Sequence, residues 1–373
     1  MGQRCFLEMA ASLKVYNFAA GPGVMPATVL AQAQQEFTNW NGSGISMLEL
    51  PFTGKEFGEV LNEASEALRS LLSIPDNYHI LFMHGGASAQ FSLVPLNLHR
   101  DTRQADYIET GYWSSKSMRE ASRYCDIHIA ASSADTHFDH MPETWYVNPS
   151  AAYCHFTSNE TANGVQFHTI PNIGYVPLVA DMTSDFLSRP IDVERYGLIY
   201  AGAQKNVGPA GLTIVIVRDD LLGRACPATP LVFNYQAQAE ANSKLNTPVT
   251  FGVYLAGLVF RWVMDIGGVA EMERRSLQRS ALIYQVIDAS NGFYCCPIQP
   301  KHRSRMNICC TLADDALTAT FLSDATARGL MNLKGHAMMG GIRISLYNAM
   351  PDDGVEALAG YMCSFAQEHG NHV

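Results

Sequence analysis

Leu198-Ile-Tyr-Ala-Gly-Ala-Gln-Lys-Asn-Val-Gly-Pro209 sets one lysine, Lys205, among small residues, between the apolar run that opens the stretch and a second run, Thr213–Val217. Two short apolar runs joined by a small-residue turn read as buried strands. A lysine held there loses water, which disfavours its charged form and frees the amine as a nucleophile. The same placement suits a lysine whose stem packs while its ammonium reaches solvent, and position alone leaves both readings open. The other six lysines, at 14, 55, 116, 244, 301 and 334, lie among polar or turn residues, as surface lysines do.

Upstream, Leu178-Val-Ala-Asp181 is another apolar run, closed by a carboxylate. Such an aspartate is often a turn former or helix cap. Beside a lysine that carries an aldehyde cofactor, it is the natural partner of a pyridinium nitrogen. His84-Gly-Gly-Ala-Ser-Ala-Gln90 follows the apolar run His79–Met83. Glycines and small residues at a helix start expose backbone N–H groups that suit a phosphate, although many strand-to-helix corners share this composition. Gly111-Tyr-Trp113 follows Ala105–Glu109 and places an indole that could cover a ring, where a core tryptophan is the commoner use.

Seven short apolar runs follow in series: His79–Met83, Ala105–Glu109, Asp126–Ala130, Ala152–Thr157, Leu178–Ala180, Leu198–Ala201 and Thr213–Val217. They alternate with helices such as 55–73, where Phe57, Val60, Leu61, Ala64, Leu68 and Leu71 recur at helical spacing. The pattern predicts an α/β fold around a largely parallel sheet, with ligands at the carboxyl ends of the strands. A long helical stretch runs from Val249 through Trp262 to Gly267–Gly268. Strands near Met306–Leu312 and Ile342–Leu346, and a closing helix from Pro351, predict a smaller second unit. The expected organisation is an extension over 1–14, a large domain over 15–265 and a small C-terminal domain over 266–373.

The 373 residues are 47% hydrophobic and 16% charged, enough apolar material for a large interior. A net charge of −10 argues against nucleic acid or an anionic membrane as partner. No apolar run nears membrane-spanning length, and Met1–Ser12 lacks the core of a signal peptide, so a cytoplasmic chain is expected. The nine cysteines show no Cys-x-x-Cys spacing, which predicts reduced thiols and no metal. The sequon Ser158-Asn-Glu-Thr161 is accidental in such a chain.

Over about residues 16–370 the chain resembles the phosphoserine aminotransferase family, class V members of the fold type I, aspartate-aminotransferase-like enzymes that use pyridoxal 5′-phosphate. The resemblance rests on Asn17-Phe-x-Ala-Gly-Pro22, Gly54-Lys-Glu-Phe57, His84-Gly-Gly86, Ala105-Asp-Tyr107, Gly111-Tyr-Trp113 and Asn159-Glu-Thr161. It rests further on Ser188-Arg-Pro-Ile-Asp192, Tyr200-Ala-Gly-Ala-Gln-Lys-Asn206, Asn246-Thr-Pro248 and Tyr347-Asn-Ala-Met-Pro351. It implies a mostly parallel seven-stranded sheet in the large domain and a smaller α+β C-terminal domain. It implies that Lys205 forms the Schiff base with the cofactor and shuttles the Cα proton. Asp181 would pair with the pyridine nitrogen, Trp113 stack on the ring, and Thr161 bond the ring-hydroxyl side. Ala87, Ser88 and Gln204 would hold the phosphate. Asn246 and Thr247 would reach the phosphate of a neighbouring subunit's cofactor, making a homodimer with shared active sites. Arg343 would bind the substrate α-carboxylate, and ping-pong transfer between an L-amino acid and a 2-oxo acid follows.

The chain departs from the family at the substrate's far end. Where the family reads Ser-His-Arg-Gly after Glu49, this chain reads Leu50-Pro-Phe-Thr-Gly54, with Phe52 and Thr53 in the places of a His and Arg that grip the substrate phosphate. Where it reads Lys-Gly-His-Arg, this chain has Lys334-Gly-His-Ala337, keeping His336 and replacing a further phosphate-binding Arg by Ala337. A charge-assisted hydrogen bond contributes roughly 1.5–3 kcal/mol, so two missing arginines weaken phosphate binding on the order of 100-fold or more. The sequence thus favours an altered substrate, less anionic or more apolar at its far end. Three alternatives stay open. Lys55, Lys334 or Arg305 replaces the missing cations, the chain is a genuine phosphoserine aminotransferase, or it binds the cofactor without catalysis.

Overall fold

The computed structural model describes residues 14–99 and 102–370; apart from Lys14, the extension expected over 1–14 lies outside them. All seven predicted runs are strands of one sheet: Tyr78–His84, Gln104–Glu109, Asp126–Ser132, Cys154–Thr157, Leu178–Asp181, Leu198–Gly202 and Leu212–Arg218. Leu212–Arg218 runs antiparallel to both Tyr78–His84 and Leu198–Gly202, while the other neighbours pair in parallel. Tyr78–His84 and Asp126–Ser132 are the two edges.

The central strands are apolar throughout because both faces are covered. Side chains alternate between the two faces, as pleating requires. Ile214 and Ile216 join Phe57, Leu61, Leu68, Val259 and Phe260, from the helices Lys55–Leu72 and Thr250–Asp265. Val215 and Val217 point the other way, to Phe91, Val94 and Ala121 of the helices Gly86–Asn97 and Tyr112–Ala121.

A second core is built on three antiparallel strands, Tyr294–Cys295, Asn307–Leu312 and Ile342–Ser345, with the closing helix Asp352–His369. Ile283 and Ile287 of the helix Gly268–Asp288 enter it too. So does the start of the chain: Tyr16–Asn17 pairs in parallel with Leu330–Met331, and Phe18 is fully buried there. The helices Thr250–Asp265 and Gly268–Asp288 meet at 81°, a turn made by Gly267 (φ 111°) and Gly268 (φ 73°), where a Cβ would be strained. Among the described residues no single helix is long and apolar enough to cross a membrane, and these two pass such a test only as a bent pair.

Candidate active site

The polar ends of five sheet strands, with the Gly-Pro turn near the start of the chain and the loops of the second unit, enclose a cavity of about 570 Å³. Lys205 lies three residues beyond the strand Leu198–Gly202 and is only 9% exposed. Its Nζ donates to Thr161 Oγ1 at 2.5 Å. Burial holds its amine down to about 8, the Asp181 carboxylate pulling it up and the Arg343 guanidinium pushing it further down. Asp181 ends its own strand, 4% exposed, and Oδ1 accepts from the Thr183 N–H at 2.9 Å. Burial raises its carboxyl above the usual carboxylate range against the pull of Thr183 and Lys205.

Opposite these groups stands the start of the helix Gly86–Asn97, entered through Gly85 (φ 98°) with no side-chain cap. Its first N–H groups, at Gly86, Ala87 and Ser88, line the cavity without intrahelical partners. Gln204 lines the same end. Gly202 makes room for its amide, since a Cβ there would lie 2.5 Å from Gln204 Oε1 and 3.3 Å from Ala87 N.

Trp113 forms one wall, with Lys205 Nζ 5.7 Å from its ring centroid. The helix Tyr112–Ala121 holds it, and that helix is capped from a distance. Glu160 Oε2 accepts from the Trp113 N–H at 2.9 Å and Oε1 from the Ser114 N–H at 2.8 Å, while Asn163 Oδ1 accepts from the Tyr112 N–H at 2.9 Å. Gly111 allows this contact, because a Cβ there would sit 2.7 Å from Glu160 Cδ. Burial pushes the Glu160 carboxyl up to about 7 against the pull of the Ser114 and Trp113 groups.

Arg343 projects from the strand Ile342–Ser345, its Nη1 3.5 Å from the Thr161 carbonyl oxygen, with no carboxylate partner among the described residues. His336 completes the rim, its ring 4.5 Å from that of Tyr112. Burial lowers its pKa, with Arg343 and Lys116 adding to the effect. Trp113 Nε1 and Thr157 Oγ1, buried polar atoms of two lining residues, have no hydrogen-bond partner among the described residues. A buried acid, a ring wall and a row of free N–H groups fit a phosphorylated pyridine aldehyde.

The aminotransferase class-V family model matches residues 15–358. The chain belongs to that family. It is 51% identical over 360 residues to the phosphoserine aminotransferase of Laribacter hongkongensis, covering 96% of this chain and all of the relative. It is 50% identical over 361 residues to that of Pseudomonas aeruginosa, with 96% and 100% covered. Its fold matches the phosphoserine aminotransferase of Bacillus circulans subsp. alkalophilus at a TM-score of 0.93 and 41% identity, over 95% of this chain and 99% of that one. The pyridoxal-phosphate-bound enzyme of Trichomonas vaginalis matches at 0.89 and 39%, over 94% and 99%. The chain is therefore a fold type I, pyridoxal-phosphate-dependent aminotransferase of the phosphoserine aminotransferase family, acting on small amino acids and oxo acids.

The structure brings nine of the expected site residues to this cavity: Lys205, Asp181, Trp113, Thr161, Gln204, Ala87, Ser88, Arg343 and His336. Asn246 and Thr247 lie outside it, Asn246 Oδ1 accepting from Gln238 at 3.2 Å. Phe52 packs on the large core, and Thr53 and Ala337 are exposed. None of the suggested replacement cations lines the cavity. Lys55 pairs with Glu59 at 3.2 Å, Arg305 pairs with Glu273 at 2.9 Å, and Lys334 lies in a bridge to Ile342. Sequence reasoning passed over Thr157, Thr183, Ser184 and the helix-capping pair Glu160 and Asn163. The sequon residue Asn159 is buried, donating to Ser184 and Asn307.

Proposed function

We propose that this enzyme exchanges an amino group between L-glutamate and 3-phosphohydroxypyruvate, the phosphoserine aminotransferase reaction of serine biosynthesis. One observation carries the reading: Lys205, Asp181, Trp113, His336 and Arg343 converge on one cavity, in a chain sharing half its residues end to end with relatives of that name. Bound pyridoxal phosphate supplies an aldehyde that takes the substrate amine and a ring that draws electrons from its Cα. Asp181 holds the ring nitrogen protonated, Trp113 covers the ring face, and Thr161 bonds the ring-hydroxyl side. Ala87, Ser88 and Gln204 hold the phosphate. Arg343 takes the α-carboxylate in a bidentate pair, which aims the Cα–H bond at Lys205. Burial keeps part of Lys205 neutral near pH 7, so its amine can take the Cα proton and return it at the cofactor carbon. Both substrates use the one cavity in turn, so ping-pong kinetics follow.

The working unit in this proposal is a homodimer, with Asn246 and Thr247 serving the neighbouring subunit's cofactor. Their position outside their own cavity supports this. A division near residue 265 into a cofactor domain and a smaller domain belongs to the same reading. So does a cytoplasmic setting, which suits the free thiols of the eight described cysteines.

A second reading has its own support: Phe52, Thr53 and Ala337 present no cation to a substrate phosphate. On it the oxo acid is uncharged at its far end. Steady-state turnover of glutamate with 3-phosphohydroxypyruvate, set beside a panel of non-phosphorylated 2-oxo acids, separates the two. The first reading expects the highest kcat/KM for the phosphorylated acid. A preference on the order of 100-fold for an uncharged one would install the second. Failure of every amino acid to shift the bound cofactor's absorbance would remove both.

A further inference from the structure

A second cavity, about 420 Å³, adjoins the first at the Tyr112–His336 pair. The helix Tyr112–Ala121 contributes Lys116 and Arg119 to its wall, one turn apart, and the loop after His336 contributes Met338 and Met339. His137 and Phe138 close another side. Both are non-glycine residues in the left-handed region (φ 56° and 62°), held by bonds to Ala134 and Ser133 carbonyls at 3.1 and 2.9 Å. Strain of this kind persists where the surroundings enforce a particular shape.

The charge of this cavity is one-sided. No carboxylate lines it, and neither Lys116 nor Arg119 has an acidic partner among the described residues. Glu109, on the adjacent strand, instead accepts from the Ser115 and Ser132 hydroxyls at 2.8 Å each. Lys116 Nζ stands 5.1 Å from the centroid of the Trp113 ring, the same ring that Lys205 approaches at 5.7 Å. Its charge is also felt at His336, whose pKa it helps to lower. A cation with no acidic partner among the described residues therefore stands where the two cavities meet.

We propose that the second cavity is the subsite for the anionic far end of the substrate, with Lys116 and Arg119 supplying the positive charge that Thr53 and Ala337 do not. This rests on the reading that the enzyme handles amino acids with an anionic side chain. A phosphate ester and a carboxylate share the chemistry, and the donors O-phosphoserine and glutamate distinguish them.

The test compares holoenzyme with Lys116→Gln, Arg119→Gln and the double variant, using O-phosphoserine, glutamate and alanine as amino donors. Both side chains are exposed and form no ion pair among the described residues, so the variants should fold, and circular dichroism verifies it. The ratio of kcat/KM for phosphoserine to that for alanine should fall roughly tenfold or more in each single variant. Inorganic phosphate should compete with donors in the unmodified enzyme and lose most of that effect in the double variant. An unchanged ratio, or an equal loss on all three donors, would overturn the subsite. If the unmodified enzyme prefers alanine, the functional reading fails, and phosphate competition alone then decides the subsite: equal competition in both forms refutes it.

Discussion

Replacing Glu160 isolates what holds the Trp113 indole in the cavity wall. Its two carboxylate oxygens satisfy the N–H groups of Trp113 and Ser114 at the start of their helix, at 2.9 and 2.8 Å. Glu160→Ala strands both donors in a buried site. Each unsatisfied group costs about 1–3 kcal/mol, so the loss should be about 2–6 kcal/mol of unfolding free energy. Glu160→Gln keeps one acceptor oxygen and turns an amide N–H₂ toward the other donor, so about half that loss is expected. Asn163, bound to the Tyr112 N–H at 2.9 Å, keeps the helix start partly tied in both variants. With the helix start loosened, the Trp113 ring should stack less well, and such stacking is worth about 0.5–1.5 kcal/mol, or roughly 2- to 10-fold in the Kd of pyridoxal phosphate. Urea unfolding of the apoenzyme and cofactor titration by absorbance measure the two effects. The expected order of both stability and affinity is Glu, Gln, Ala. Should the alanine variant lose stability yet bind the cofactor as tightly as the parent, the link from Glu160 to Trp113 is wrong.

Three further perturbations read other parts of the site. Lys205 loses its proton near 8 when folded and near 10.5 when unfolded. The unfolded chain thus binds the extra proton between those values, and apoenzyme stability should rise with pH across that window, by about 3 kcal/mol in full. Lys205→Met should flatten the rise in denaturant titrations from pH 7 to 10. Asp181→Asn should still bind pyridoxal phosphate but lose kcat on the order of 100-fold or more, as one partner of a buried ion pair is removed; near-normal turnover would refute its pairing with the ring. Gly202→Ala drives a Cβ toward Gln204 Oε1 and Ala87 N. Dialysis against inorganic phosphate should then strip the cofactor faster than from the parent, and equal rates would clear Gln204 of a part in the cradle.

The sheet was legible because its strands are short, apolar and punctuated, and each of the seven runs became a strand within a residue or two at most ends. The gathering of several expected residues around one cavity was legible for the same reason. Asp181 ends a strand, and Lys205 and Ala87–Ser88 lie three or four residues beyond strand ends, so locating the strands located them. The joining of Tyr16–Asn17 to Leu330–Met331 had no local signal, since a two-residue pairing across more than three hundred positions leaves no periodicity. Glu160 was hidden for a related reason. An acid in the middle of a motif looks like any other, and its task becomes visible only when the chain returns the Trp113 helix to within hydrogen-bond reach.

The far end of the substrate pocket obeys different physics. Strand ends are positioned by a packed core, so a lysine or aspartate there is held wherever the sheet is. His336, Ala337, Met338 and Met339 sit on a loop, partly or fully exposed, and Phe52 is half-buried against the large core. A residue exchanged on such a loop leaves the sheet untouched, and in the proposed subsite a cation one helix away supplies the charge without moving any strand. Counting cations along the sequence pointed to Lys55, Lys334 and Arg305, none of which lines the first cavity; Lys55 and Arg305 pair with Glu59 and Glu273. It passed over Lys116, because helical phase alone does not say that its face turns toward His336. On the proposed subsite, charge at this end depends on which exposed helix borders the second cavity, and Lys116 and Arg119 line that cavity with no acidic partner among the described residues.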